Sequence, residues 1–346
     1  MRLIRKGTLL GLILSFFMVL TANAEETTKN QEVKKEFYGE IRTTFANISN
    51  ESEDGKAFFD MTSDAILGFK AEQMIGNLKS TAKLEFEIES FDNAILHPKK
   101  VYITLESDSL LGRLGRNDPS GHTVGREFLE GFEQSYEVGV SFGRGDYLEI
   151  QHKKAGLSFI VGQNGNAADI NKGTPESVLA VFYETKFGEM PFKISYIDIS
   201  EEVLSDASSD PSQSNLLLGH ETYKSYSFGF GIPVSSALIA FNYDQNTNNY
   251  DAPASLGKVD NVVTTTIINF DWKFGEKAGM SVSYGIRKTD VEKREPLTET
   301  RTDLGIVYPN GPVKFFAGYS SQATKDDNQQ LELTDTQYGV GMIYKY

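Results

Sequence analysis

Three groups of residues have types and spacings that could do chemistry. Gly139-Val140-Ser141-Phe142-Gly143 fits the G-x-S-x-G pattern. There a sharp strand-to-helix elbow presents a nucleophilic serine, with a histidine and an acid nearby. Glu85 and Glu87 stand two residues apart. That spacing puts both carboxylates on one face of a strand, where paired carboxylates could act as acid and base. The histidines are His97, His122, His152 and His220, at no metal-ligand spacing. None of the groups has the context its chemistry requires. The serine lies between a long polar connection and an antiparallel strand pattern, and glycine is common in the chain, so the match is one of chance. The glutamate pair belongs to a charged strand face in water. The histidines fall in connections. The chain has no cysteine, which excludes disulfides, thiolate metal sites and cysteine nucleophiles. There is no phosphate loop or dinucleotide fingerprint. The residues therefore point to no catalytic residue, no metal and no cofactor.

The elements that carry these residues are strands. Gly 31, Tyr 16 and Phe 23 against Trp 1 and Pro 10 form a β-rich mixture in 346 residues. With Lys+Arg 34 and Asp+Glu 48 the formal charge is −14, which argues against nucleic acid as a partner. A mean hydropathy of −0.33 is too polar for a bundle of membrane helices. It remains compatible with a membrane barrel, whose strands need lipid-compatible side chains only at alternate positions.

The first 24 residues read as an export signal: Arg2, Arg5 and Lys6, then an apolar run from Leu9 to Leu20, then Ala22-Asn23-Ala24. The run of 12 residues is short of the roughly 20 a spanning helix needs. Cleavage after Ala24 would take the charge from −14 to −17. Residues 25–36 (EETTKNQEVKKE) lack apolar pattern and read as a polar lead-in.

From residue 37 to 346 the chain alternates with period two. Tyr338, Val340, Met342, Tyr344 and Tyr346 share one face; Gly339, Gly341 and Lys345 share the other, with Ile343 the exception. Leu84, Phe86 and Ile88 oppose Lys83, Glu85, Glu87 and Glu89, and Phe37, Ile41 and Phe45 oppose Glu40, Arg42 and Thr44. Sixteen strands are expected, near 37–47, 64–74, 80–91, 99–107, 110–116, 146–152, 156–163, 178–187, 191–200, 222–231, 235–243, 261–274, 278–288, 298–308, 311–321 and 333–346. Short connections rich in Gly, Pro and Asn alternate with long polar ones. All ten prolines can be placed in connections. A soluble sandwich also alternates, but it has no reason to keep short turns on one side and long loops on the other. That rhythm describes an all-β, transmembrane antiparallel barrel with short periplasmic turns and long external loops. A hairpin opening at Phe187-Gly188 and another at Gly311-Pro312 repeat each other weakly.

At this point the sequence resembles the general Gram-negative porins, the trimeric, sixteen-stranded channels of the outer membrane. Phe37-Tyr38-Gly39 is similar to the family's first-strand motif, and Leu67-Gly68-Phe69-Lys70-Ala71 to its second-strand motif, with Ala71 for the last glycine. Lys99 to Leu105 followed by Leu114-Gly115-Arg116 resembles a third pair, and Arg144-Gly145-Asp146-Tyr147 resembles the exit from the third loop. The resemblance implies that the 117–145 connection folds into the barrel and narrows the pore. Glu127 would then carry the loop's carboxylate, with Glu130 and Glu133 nearby, facing a basic wall of Arg116, Arg144, Lys70 and Arg42. Ile66 stands where many relatives carry an arginine, so this basic set is thinned. Glu40, Glu85 and Glu87 would line the lumen. Tyr344 and Tyr346 would form the terminal aromatic signal that the barrel-assembly machinery reads.

The function expected on this reading is a water-filled channel for passive diffusion of small hydrophilic solutes and ions, with a weak cation preference. Its partners would be those solutes, outer-membrane lipid and two further copies in a homotrimer. Two alternatives stay open: a substrate-selective anion or phosphate channel, and a non-conducting barrel serving as adhesin, receptor or envelope anchor.

Overall fold

The computed structural model describes residues 33–50, 57–89, 95–117, 124, 129, 145–164, 176–204, 217–251, 258–276, 278–291, 296–326 and 332–346. These residues form sixteen strands: β1 Lys34–Asn50, β2 Ala57–Ile75, β3 Leu78–Glu89, β4 Ile95–Glu106, β5 Leu110–Asn117, β6 Gly145–His152, β7 Leu157–Asn164, β8 Glu176–Phe187, β9 Met190–Leu204, β10 Leu217–Val234, β11 Ala237–Asp251, β12 Lys258–Lys273, β13 Gly279–Val291, β14 Leu297–Asn310, β15 Val313–Asp326 and β16 Glu332–Lys345. Each is antiparallel to its sequence neighbours, and β16 returns to pair with β1, so the sheet is a closed barrel. Every expected strand is present. The strands run from 8 to 19 residues, longer than the sequence reading in several cases. About 9–11 residues cross a bilayer, so the longest strands extend past it.

The pleat sorts the side chains. Phe37 on β1, Leu67 on β2, Ile103 on β4, Phe228 on β10 and Met342 on β16 are exposed on the outward face, the one that meets lipid. Charged and small polar residues occupy the inward positions between them. The inner wall is not polar throughout, however. Tyr147, Ile160, Val178, Ala180, Phe182, Ile197 and Ile199 form a buried apolar cluster across β6–β9. Ile343, the exception in the terminal alternation, is inward and packs with Val307 and Phe316.

Two-residue turns at Gly76-Asn77, Gly188-Glu189 and Gly311-Pro312 join strands at the end opposite the long connections. Gly188 and Gly311 have φ of 65° and 60°, and nothing crowds the place where a Cβ would go. Their backbone conformation, not space, requires glycine there.

Three sequence expectations are corrected here. β1 begins at Lys34, so the last residues of the polar lead-in are strand. Lys34 and Glu36 sit opposite Glu72 and Lys70, which extends the ladder with opposed charges. Pro98 lies inside β4 and not in a connection; it pairs with Phe86 beside a bulge, which removes the need for a ladder N–H. Pro191, Pro233 and Pro309 also fall within strands, each one residue from the turn end of β9, β10 or β14. His97, His152 and His220 likewise fall within strands β4, β6 and β10. The remaining histidine, His122, and Gly139 to Gly143 lie outside the described residues.

The seam is closed by a reciprocal pair: Gly39 N donates to Tyr346 O and Tyr346 N donates to Gly39 O, both at 3.1 Å. The Tyr346 ring covers Gly39, where a Cβ would stand 2.0 Å from the ring carbon Cζ. Gly39→Val should therefore weaken closure by about 1–3 kcal/mol. The measurement is the folded fraction by heat-dependent gel mobility across a urea series, with Thr43→Val, on the same outward face, expected to stay near the parent protein.

Candidate functional site: the channel lumen

The site is the inner wall, which is built from inward positions of consecutive strands. On β1–β4 these form one connected charge network. Tyr38 lies flat over Gly68 on β2 and its hydroxyl donates to Glu85 on β3 at 2.8 Å. Glu85 is almost fully buried and also receives Lys83 at 2.8 Å and Lys100 at 3.4 Å. Glu87 pairs with Lys99 at 2.7 Å, and Glu72 with both Lys70 and Lys79 at 2.8 Å. At the seam Glu40 bridges Arg42, 3.7 Å away, and Lys345, 3.1 Å away. Ile66 is an apolar member of this wall, opposite Glu40 on one side and Glu87 on the other.

Glu40, Glu85 and Glu87 are on the inner wall, and each is held by a cation. The desolvation of Glu85 is offset by two ammonium groups and a phenol, an arrangement that suits a fixed wall group. A general base would need a free lone pair aimed at a substrate proton. The glutamate pair is a structural part of the wall.

On β5 the arginine held inward is Arg113. Its guanidinium stacks on Tyr102, 4.9 Å from the ring centre, and bonds Glu149 on β6 at 2.7 Å. The sequence reading passed over Arg113 in favour of Arg116. A count of alternation back from the Leu114 position would have found it. Arg116 follows Gly115, whose φ of +129° interrupts the pleat, and reaches Asp146 at 3.7 Å. Glu127, Glu130, Glu133 and Arg144 lie outside the described residues. The terminal aromatics Tyr344 and Tyr346 are outward and stacked on each other.

The wall facing β5 is different in kind. Across β10–β14 it presents hydroxyls, amides and carboxylates, nearly all buried. Ser225 donates to Asp244 at 2.8 Å and Ser281 to Asp271 at 2.6 Å. Arg301 pairs with Asp303 at 2.8 Å, and Arg287 with Glu299 at 3.9 Å. Ser195 and Ser227 share a hydrogen bond. Val124, from the connection between β5 and β6, is docked on this wall: its N donates to Asn242 Oδ1 at 2.7 Å, and its O accepts from Asn242 and Asn269. Chain from the third long connection therefore lies inside the lumen at this point.

A closed barrel with an apolar outside, a charged inside and Val124, from the connection after its fifth strand, seated within it fits one family of known proteins. The family model for the Gram-negative porin matches residues 14–346. The chain belongs to this family. No curated relative matches by sequence. Among solved structures, the in-vitro folded trimer form of OmpT from Vibrio cholerae is similar at a TM-score of 0.65 and 14% identity, covering 91% of this chain and 99% of the other. An anion-selective porin from Comamonas acidovorans gives a TM-score of 0.65 at 14% identity, over 91% of this chain and 100% of the other. The outer-membrane channel DcaP of Acinetobacter baumannii gives 0.63 at 14% identity, over 91% and 97%. At such identities the likeness shows the fold alone.

This porin is an outer-membrane channel for passive diffusion. Among the described residues no three His, Asp or Glu side chains are grouped to hold a metal ion. In such a channel fixed wall charges bias which ions enter, and the bore sets which solutes fit.

Removing Arg113 leaves Glu149 on the inner wall without that cation. Arg113→Gln should move the reversal potential in a salt gradient toward cations. The shift should fade near ~1 M salt, where the Debye length is about 3 Å.

Proposed function

We propose that this porin is a general diffusion channel whose selectivity is set where the third connection faces the basic wall, and that its preference is weakly cationic. Glu127, with Glu130 and Glu133 nearby, would supply the loop carboxylates; Arg116, Arg144, Lys70 and Arg42 would supply the opposing cations. The observation that carries this reading is Val124, seated on the inner wall opposite β5. The weakness of the preference follows from pairing. Glu72, Glu85 and Glu87 each sit within 2.8 Å of an ammonium group, so their fields are largely cancelled at the distance of a passing ion. A net bias then depends on charges nearer the axis.

The same wall supports a second reading, an anion-preferring channel. Lys70, Lys83, Lys99, Lys100 and Arg113 lie together on β2–β5, and one similar structure is described as an anion-selective porin. The sign of the reversal potential separates the two.

Three further features belong to this proposal. The first 24 residues act as a cleaved export signal. The protein acts as a channel and not as an enzyme, because the inner-wall carboxylates are engaged by fixed cations. The barrel assembles as a homotrimer in outer-membrane lipid after delivery by the barrel-assembly machinery. An outward apolar groove of about 420 Å³ on β14–β16 and β1, lined by Phe45, Tyr308, Phe315 and Met342, suits a neighbouring subunit. The trimer form of the similar Vibrio cholerae protein is consistent with that assembly.

Planar-bilayer recording tests the function. Purified protein should give stepwise, ohmic conductance without a substrate gradient, and Glu127→Gln should shift the reversal potential toward anions. An unchanged reversal potential at low salt would put the constriction on other residues, and no conductance at all would favour the adhesin or anchor alternatives.

A further inference from the structure

We propose that Asn242 and Asn269 are positioning residues that pin the third connection to the wall facing β5, and that Gly229 and Gly231 provide the clearance this contact needs. The consequence for the bore rests on the channel reading above; the contact itself does not.

Asn242 on β11 and Asn269 on β12 are inward, and both are fully buried. The side-chain amide of Asn242 meets both polar backbone groups of Val124, accepting from its N at 2.7 Å and donating to its O at 2.9 Å. Asn269 Nδ2 donates to the same carbonyl at 3.0 Å. A carboxamide is the side chain with donor and acceptor side by side, so it can pair with a single residue's N–H and C=O as a neighbouring strand would. Aspartate cannot donate, and an aliphatic side chain can do neither. A buried amide carries a desolvation cost when left unmade, so these groups and the Val124 backbone need each other.

The glycines complete the socket. Gly229 lies opposite Asn242 in the β10–β11 ladder. A Cβ there would stand 2.9 Å from Val124 Cγ2 and 2.4 Å from Asn242 Oδ1. At Gly231 it would stand 3.2 Å from Val124 Cγ1 and 2.8 Å from Leu238 Cδ1. The Val124 side chain, itself nearly inaccessible, fills the space the two glycines leave.

The position in the ring gives the contact its consequence. β11 and β12 are six and seven strands from β5 in a closed ring of sixteen, close to the opposite side. Holding Val124 there fixes the connection to the far wall at this point.

The test uses the absence of cysteine. Val124→Cys introduces a single thiol, which a charged maleimide reagent can reach from water only when the contact opens. In the full-length folded barrel the thiol should label slowly. With Asn242→Ala and Asn269→Ala added, which removes three hydrogen bonds, labelling should accelerate by roughly a hundredfold or more, since each one shifts such an equilibrium by about five- to tenfold. Asn269→Asp keeps the volume and removes one donor, so it should give an intermediate rate even if the double variant folds poorly. Gly229→Val should act by displacement without removing either amide. Heat-dependent gel mobility verifies that each barrel is closed. Equal labelling in folded parent and folded variants overturns the proposal. Single-channel conductance tests the consequence separately: it should rise in the double variant. Faster labelling with unchanged conductance keeps the contact and refutes its control of the bore. Faster labelling in a protein that never conducts keeps the contact and overturns the channel reading.

Discussion

Lipid offers no hydrogen bonds. Every backbone N–H and C=O that crosses the hydrocarbon must find a partner within the chain, and an unmet group costs several kcal/mol. A sheet meets that demand only by closing on itself, so the pairing of β1 with β16 is the contact on which all the others depend. The Gly39–Tyr346 hydrogen bonds finish it, with an aromatic ring laid over a glycine at the last step. The same device recurs inward. Tyr38 lies over Gly68 and Phe316 over Gly341, so a ring from one strand covers the bare backbone of the next and ties the two together.

Closure also fixes the chemistry of the two faces. Once the ladder is in register, alternate residues must point into water or into lipid. A charge on the lipid face near the membrane midplane costs about 2–4 kcal/mol, whereas in a wet lumen it costs little. The glutamates and lysines of β2–β4 are tolerated because the pleat turns them inward, and pairing then removes most of their remaining cost. Glu85 shows the limit of this tolerance. It is the most deeply buried of these glutamates, and it has three partners.

The inner wall has three arcs of different character. β1–β4 carry paired charges, β6–β9 an apolar patch, and β10–β14 amides, hydroxyls and carboxylates. This division gives an inward chain segment a defined seat. Backbone polar groups of Val124 meet carboxamides, and its side chain meets the space above two glycines. A uniformly charged wall would offer no comparable match, because ammonium groups only donate and carboxylates only accept. The lumen is therefore asymmetric before any ion enters it.

Strand number, the order of short and long connections and the facing of most side chains were legible in the residues, because a period of two survives wherever one face meets lipid. The inward placement of Glu40, Glu85 and Glu87, and the outward placement of Tyr344 and Tyr346, followed from alternation alone. Alternation is silent on what lies across a ladder. That Glu85 is shared by Tyr38, Lys83 and Lys100 depends on the register of four strands, which no local pattern encodes. It also fails where the pleat is interrupted: Gly115 with its positive φ separates Arg116 from Arg113, and the bulge beside Pro98 admits a proline that composition would assign to a loop. The longest step lies between Val124 and Asn242, 118 residues apart in sequence. Neither residue is distinctive by type, and only closing the ring brings the two together.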